Sequence, residues 1–282
     1  MTEPILYDTH MHTTLCKHAV GTADDYAAWG AQCGLKGIIF TCHNPGPKGW
    51  DERIRMNLEQ FQDYIKLVRQ AREAWHGRLD IRLGLECDYV PGMEPFLGKL
   101  LSYQGLEYVL GSVHPHANYY KNRFYQGDVT AFQKTYFEHL AQSAESGLFD
   151  TIAHPDLIKT VFPNEWNPFA IWDTVLQTLD RIAVANVAME LNTSGLIKNL
   201  KEMNPSIHML VAMAERDIPV VIGSDAHEPK RVAADFDIAL DMLEEAGYTH
   251  VHFFLERRRH QIALDKARNS LTLPAKNRHS DW

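Results

Sequence analysis

Seven short runs rich in Ile, Val, Leu and Phe, separated for the most part by segments of helical spacing, predict an α/β fold in which helices cover a parallel sheet. Two further observations favour a closed or nearly closed barrel in one domain. No G-x-G-x-x-G turn follows the first run, as a dinucleotide-binding open sheet would require. The 282 residues also show no internal repeat, low-complexity tract or Pro-rich linker.

The first run is ILYDTH (5–10), and the second, GIIFTCH (37–43), precedes the helical segment NLEQFQDYIKLVRQAREAW (57–75). IRLGLECDY (81–89) and YVLGSVH (108–114) follow, then the helix VTAFQKTYFEHLAQSAESG (129–147). DTIAHPD (150–156) leads into FAIWDTVLQTLDRIAVANV (169–187), AMELNTSG (188–195) into SIHMLVAMAERD (206–217), and PVVIGSDAH (219–227) into DFDIALDMLEEAG (235–247). A weaker eighth run, HVHFFLE (250–256), comes last. The barrel is expected over residues 1–260, with 261–282 a polar, basic, solvated tail. The aromatic-rich stretch NYYKNRFYQ (118–126) reads as a loop over the barrel mouth.

With 45% hydrophobic residues the chain supports a large core. A net charge of -8 opposes a general nucleic-acid or membrane-surface binder, because phosphate backbones demand a clustered basic field. Cysteines 16, 33, 42 and 87 have no C-x-x-C spacing, no signal-peptide pattern opens the chain, and no run of eighteen apolar residues occurs. A reduced, cytoplasmic protein is expected, and nothing in the sequence selects between monomer and dimer.

The polar residues carry the functional reading. His10, His12, His43, Glu86, His114, His154, Asp225 and His227 all fall at the C-terminal end of a predicted strand, the face on which barrel active sites are built. Residues two apart on a strand share a face, so His10 pairs with His12 and Asp225 with His227, while Cys42 and Cys87 should point outward into the helix layer. Imidazole and carboxylate together suit Zn, Mn or Fe, and so many converging groups exceed the needs of one ion, so two to three divalent metals are expected.

The stretches DTHMHTTLCKHA, FTCHNP, LGLECDY, GSVH, AHPDLIK, ELNTSG and GSDAH occur in the order and strand positions of the PHP (polymerase and histidinol phosphatase) superfamily, and C-x-H-A after the opening H-x-H resembles its histidinol-phosphatase branch. The resemblance implies a distorted (β/α)7 TIM-like barrel and a trinuclear centre. Carried over, His10, His12, Glu86 and Asp225 would hold one metal, His18, His43 and His154 a second, and Glu86, His114 and His227 the third. It implies hydrolysis of a small phosphomonoester, L-histidinol phosphate first, by a metal-bound hydroxide attacking phosphorus.

Asp156, two residues after His154, is expected to face the same side as an orienter or proton shuttle, or else to cap the following helix, and His116 is a second candidate acid. Asp225 counts as both ligand and catalytic residue. The loops offer Lys48, Arg53, Arg55, Lys121, Arg123, Lys159, Lys198, Lys230 and Arg231 as phosphate-binding cations, of which Lys198 and Arg231 lie nearest strand ends and Lys159 and Arg123 come next. The branch usually carries Arg after TSGL, where Ile197 stands here, so a nucleotide, a sugar phosphate or a phosphodiester are alternative substrates. An amidohydrolase would want a bridging lysine where GSVHP stands, and a non-catalytic metal-binding module is the remaining alternative.

Overall fold

A computed structural model describes residues 3–47 and 50–274; Lys48 and residues 275–282 lie outside the described residues. All seven predicted runs form strands: β1 Tyr7–Asp8, β2 Gly37–Phe40, β3 Asp80–Asp88, β4 Tyr108–Ser112, β5 Thr151–Ile152, β6 Ala188–Asn192 and β7 Val220–Gly223. β8 (His250–Leu255) and β9 (Arg258–Ala263) complete a single sheet in sequential order. Pairing is parallel from β1 to β8 and antiparallel between β8 and β9. Among the described residues the backbones running on from β1 and β7 pair only at an isolated bridge, Met11 to Ala226, where the His12 N–H donates to the Ala226 carbonyl at 2.9 Å, with side-chain bonds from Thr9 Oγ1 to the Ile222 carbonyl and from the Ser224 N–H to Asp8 below it. The seven-stranded ring is thus stitched at its C-terminal mouth rather than along its length, as a distorted barrel requires.

Nine helices surround the sheet among the described residues: α1 Ala23–Gln32, α2 Gln60–Ala74, α3 Glu94–Leu101, α4 Asn118–Phe124, α5 Val129–Glu145, α6 Trp172–Ala185, α7 Ile207–Ala214, α8 Phe236–Glu245 and α9 Leu264–Ser270. α1 starts at a capping box, in which Thr22 Oγ1 accepts from the Asp25 N–H at 3.2 Å and Asp25 Oδ2 accepts from the Thr22 N–H at 2.8 Å. No described helix is long and apolar enough to cross a membrane.

Strand alternation divides the apolar residues between two layers. Ile38, Phe40, Leu85, Val109 and Ile222 pack outward under the helices, together with Cys42 and Cys87 as the sequence predicted. Tyr7, Ile39, Tyr108, Leu110, Ala153, Ala188 and Val221 fill the barrel interior with Phe254 of β8. The β8–β9 hairpin seals the N-terminal end of that interior: Phe254 stacks on Tyr108 at 5.4 Å and Phe253 on Tyr7 at 4.8 Å. Arg257 in the hairpin turn anchors it, its N–H donating to the Glu107 carbonyl and its guanidinium pairing with Asp150. Burying Phe254 alone is worth about 1.5–3 kcal/mol.

Two expectations are corrected. The segment from residue 261 is no solvated tail up to 274: it finishes β9, forms α9 with Leu264 and Ala267 buried, and donates from the Thr272 N–H to the Cys33 carbonyl at 2.9 Å. Its charges read as a tail because Asp265 and Lys266 face solvent while Leu264 and Ala267 turn inward. The stretch 118–126 is largely α4, whose Tyr120 is buried and whose Tyr119 packs on Trp50 at 4.2 Å.

Candidate metal centre

The strands end where the chemistry begins. Beyond β1 come His10 and His12, beyond β2 His43, beyond β4 His114, beyond β5 His154 and beyond β7 Asp225 and His227, while Glu86 lies within β3. His18 follows the short 3-10 turn Thr14–Cys16. All nine meet at one mouth around Glu86. Its Oε2 lies 2.7 Å from His43 Nδ1, 3.5 Å from His10 Nε2 and 3.6 Å from His12 Nε2. Oε1 lies 3.0 Å from His154 Nε2 and 3.2 Å from His114 Nε2. Asp225 Oδ1 is 3.1 Å from His12 Nε2, and His227 Nε2 is 2.9 Å from His18 Nε2.

These distances rearrange the ligand sets implied by resemblance. His154 sits with Glu86 and His114, whereas His227 stacks on His18 at 4.6 Å and on His12 at 4.0 Å. The two histidines therefore exchange neighbours: His227 sits with His18, and His154 with Glu86 and His114.

The ring orientations suit a cation. His18 Nδ1 lies 2.7 Å from the Cys16 carbonyl and His227 Nδ1 3.0 Å from the Asp225 carbonyl, so each N–H is given to the backbone and the two Nε2 lone pairs face one another. Two acceptors 2.9 Å apart repel unless a positive centre lies between them. His43 Nδ1 and Glu86 Oε2 are buried, close, and out of line for a hydrogen bond with any partner. Buried polar atoms are rarely left so, and this donor set is the one borderline divalent metals take.

Electrostatics agree. Burial pushes the Glu86 carboxyl up, but the histidines around it, His10 and His114 among them, outweigh it and hold the group well below the usual range. Asp225 is likewise held down against burial by His10, His12 and Lys198. Burial, joined by Arg55, keeps His43 well below its ordinary value and so neutral, the form that ligates. For His10 burial is overcome by Glu190, Asp225 and Glu86, which push it up to about 10. A field that attracts a proton so strongly attracts a divalent cation too.

A second layer of residues fixes these rings, and sequence reasoning missed most of it. Asp88 Oδ1 lies 2.6 Å from His114 Nδ1, and the Arg55 guanidinium grips the same carboxylate at 2.8 and 3.0 Å. Arg55, read as one loop cation among many, is buried. Glu190 Oε1 lies 2.7 Å from His10 Nδ1. Ser112 Oγ donates to Glu86 at 2.7 Å, and Ser194 Oγ reaches Asp225 at 3.0 Å. The signal was strand alternation: Asp88 follows Glu86 by two, and Glu190, Asn192 and Ser194 alternate along and just beyond β6.

Over the cluster lies a cavity of about 740 Å³, walled by seven of the nine residues with Arg55, His116, Lys198, Arg231 and Glu228 and the apolar Val20, Ile54, Leu157 and Ile197. Lys198 Nζ stands 3.6 Å from Asp225, and Arg231 donates to Asp235 at 3.1 Å with its Nε otherwise unbonded. His116 packs edge-on against His114 at 5.6 Å.

Three expected site residues lie elsewhere. Asp156 is buried away from the cavity, accepting from Asn204 Nδ2 at 2.6 Å, the Ser206 N–H at 2.9 Å and Lys159 Nζ at 3.0 Å, and it makes no side-chain cap. β5 ends at Ile152 and His154 has φ +27°, so the alternation that placed Asp156 beside His154 has already stopped. Lys159 is spent internally on Asp156, Glu202 and the Met203 carbonyl. Arg123 is exposed on α4, its guanidinium over Phe124 at 5.0 Å.

Residues 8–194 match the PHP domain family. A Deinococcus radiodurans protein named "Probable histidinol-phosphatase" is 37% identical over 254 residues, covering 88% of this chain and 96% of the relative. The histidinol-phosphatase of Bacillus subtilis is 26% identical over 263 residues, 83% of this chain and 98% of the relative. The crystal structure of histidinol phosphate phosphatase from Lactococcus lactis, complexed with zinc, L-histidinol and phosphate, superimposes with a TM-score of 0.74 at 16% identity, covering 90% of this chain and 98% of that one.

Proposed function

The chain belongs to the PHP domain family, and from that premise we propose that it is a metal-dependent phosphatase that hydrolyses L-histidinol phosphate to L-histidinol and phosphate. The observation that carries the reading is the convergence of seven histidines and two carboxylates on one mouth, with lone pairs opposed at 2.9 Å between His18 and His227. The substrate name is supported by the two histidinol-phosphatase relatives and by the zinc, histidinol and phosphate bound to the similar Lactococcus structure.

The nine residues would hold two to three Zn, Mn or Fe ions, with Glu86 shared among sets. Such ions, when bound, lower the pKa of water and neutralise phosphate oxygens. The protein's own groups supply the remainder. Lys198 and Arg231 face the cavity and offer N–H donors to a phosphate dianion, taking the place of the arginine that Ile197 replaces. His116, exposed on the cavity wall, is the imidazole available to hand a proton to the leaving alkoxide. Glu228 gives the outer wall a carboxylate for a cationic leaving group. The four cysteines are buried and none forms a disulfide, which supports a reducing, cytoplasmic setting.

The test is phosphate release by metal-loaded protein across L-histidinol phosphate, nucleoside monophosphates, sugar phosphates and a diester. A kcat/KM of about 10⁵ M⁻¹s⁻¹ for histidinol phosphate is expected, inside the range of dedicated enzymes. A much better alternative ester removes the substrate name, and no turnover of any ester removes the activity.

A further inference from the structure

Six of the seven barrel strands deliver a candidate ligand at or just past their ends; β6 delivers none. Its polar residues face the cluster all the same. Glu190 is fully buried, and its Oε1 lies 2.7 Å from His10 Nδ1 while its Oε2 accepts from the His154 N–H at 2.9 Å and from Asn192 Nδ2 at 3.0 Å. Asn192 Oδ1 is 2.6 Å from Ser194 Oγ, which in turn reaches Asp225. One strand thereby ties together ligands carried by β1, β5 and β7.

The space for this arrangement is made by β7. A Cβ on Gly223 would stand 2.1 Å from Glu190 Oε1 and 2.6 Å from His10 Cβ, so only glycine leaves the carboxylate its place. His154, moreover, is held at φ +27°, a conformation costing about 1–3 kcal/mol in a residue with a Cβ. The bond from its N–H to Glu190 opposes that cost and directs the imidazole toward Glu86.

We infer that Glu190 is a positioning residue of the metal centre, which orients His10 through Nδ1 and His154 through its backbone N–H so that both present Nε2 to the cluster. The inference rests on the metal-centre reading above. A carboxylate on the far nitrogen fixes the imidazole tautomer and raises its basicity toward a metal, and losing such a partner typically weakens metal affinity by about 10–100-fold.

The experiment compares wild type, Glu190→Gln and Glu190→Asp as full-length holoprotein. Zinc affinity is measured by competition with a chromophoric chelator, metal per chain by elemental analysis, and thermal midpoints in zinc-loaded and zinc-stripped states. Glu190→Gln keeps the shape but cannot accept from both N–H groups; it is expected to hold at least one zinc about 10–100-fold more weakly and to lose more of its midpoint in the zinc-loaded state than in the stripped one. Glu190→Asp, which retains the charge one carbon further back, is expected to fall between. Equal loss of midpoint in stripped and loaded states assigns a merely structural role and overturns the inference. Wild-type zinc content and affinity in Glu190→Gln overturn it too. A wild-type protein that takes up no zinc removes the metal-centre reading itself, which separates the two failures.

Discussion

Gly223→Ala introduces a single methyl group at the one place on β7 where the barrel interior has no room. The new Cβ would lie 2.1 Å from Glu190 Oε1, 3.1 Å from Glu190 Cδ and 2.6 Å from His10 Cβ. His10 Cβ is tied to backbone and cannot retreat, so the Glu190 oxygen must withdraw by about 1 Å, stretching its contact with His10 Nδ1 beyond hydrogen-bond reach. Overpacking costs about 1–3 kcal/mol, and losing a hydrogen bond to a charged group about 1.5–3 kcal/mol. Together they give roughly 2.5–6 kcal/mol, or a fall in Tm of roughly 5–24 °C in a chain of this size. The assay is thermal unfolding beside zinc competition, with Gly98→Ala as control: there a Cβ meets only Leu148 at 4.0 Å within α3, and helix propensity favours alanine. A Gly223→Ala protein that melts with wild type and binds zinc undiminished would falsify the crowding argument.

Lys159→Met should leave Asp156 buried without its cation and cost about 3–5 kcal/mol in urea unfolding, while KM for the phosphomonoester stays within about twofold because the lysine does not line the cavity. Arg231→Ala should also cost stability, because it takes the guanidinium from the buried Asp235, but unlike Lys159→Met it should raise KM about 10–100-fold, the equivalent of one hydrogen bond to a charged group; unchanged KM would remove Arg231 from the phosphate site. The last prediction concerns acid stability. Burial, and to a lesser degree Arg123, lower His139 from 6.5 to about 4 against the opposing Glu138. The unfolded chain therefore takes up the proton first, so the stability of neutral His139 is fully present above pH 6.5 and eroded as pH falls toward 4. In His139→Gln the Tm difference from wild type should be constant above pH 6.5 and change between 6.5 and 4; a difference independent of pH throughout would contradict the assignment.

Eight of the nine cluster residues were legible because each sits at or near a strand end, where the apolar alternation stops and a polar side chain has no other business, whereas His18, beyond the 3-10 turn Thr14–Cys16, was reached only through the family resemblance. The outward placement of Cys42 and Cys87 followed from the same period of two. What failed was extrapolation past the strand: β5 is over by Ile152, so counting two on from His154 put Asp156 at a site it does not reach. Lys159 could not be told from a substrate cation because two of its three partners, Glu202 and Met203, are more than forty residues away in the chain. Glu190 and Asp88 were visible as buried acids in apolar runs, yet an acid beside a histidine ligand declares itself only when the strands are brought together. Charge alone misread the C-terminal segment, since the solvent face of a short helix and a loose tail are equally polar.

The aromatic seal formed by Phe253 and Phe254 decides how molecules travel. A barrel stoppered at one end has a single doorway, so substrate entry, water supply and both product departures share one path. Free phosphate lingering in the cavity then blocks the next arrival rather than slowing it from a distance. Inorganic phosphate should consequently inhibit in strict competition with substrate, and turnover at high product concentration should be set by the clearing of that doorway.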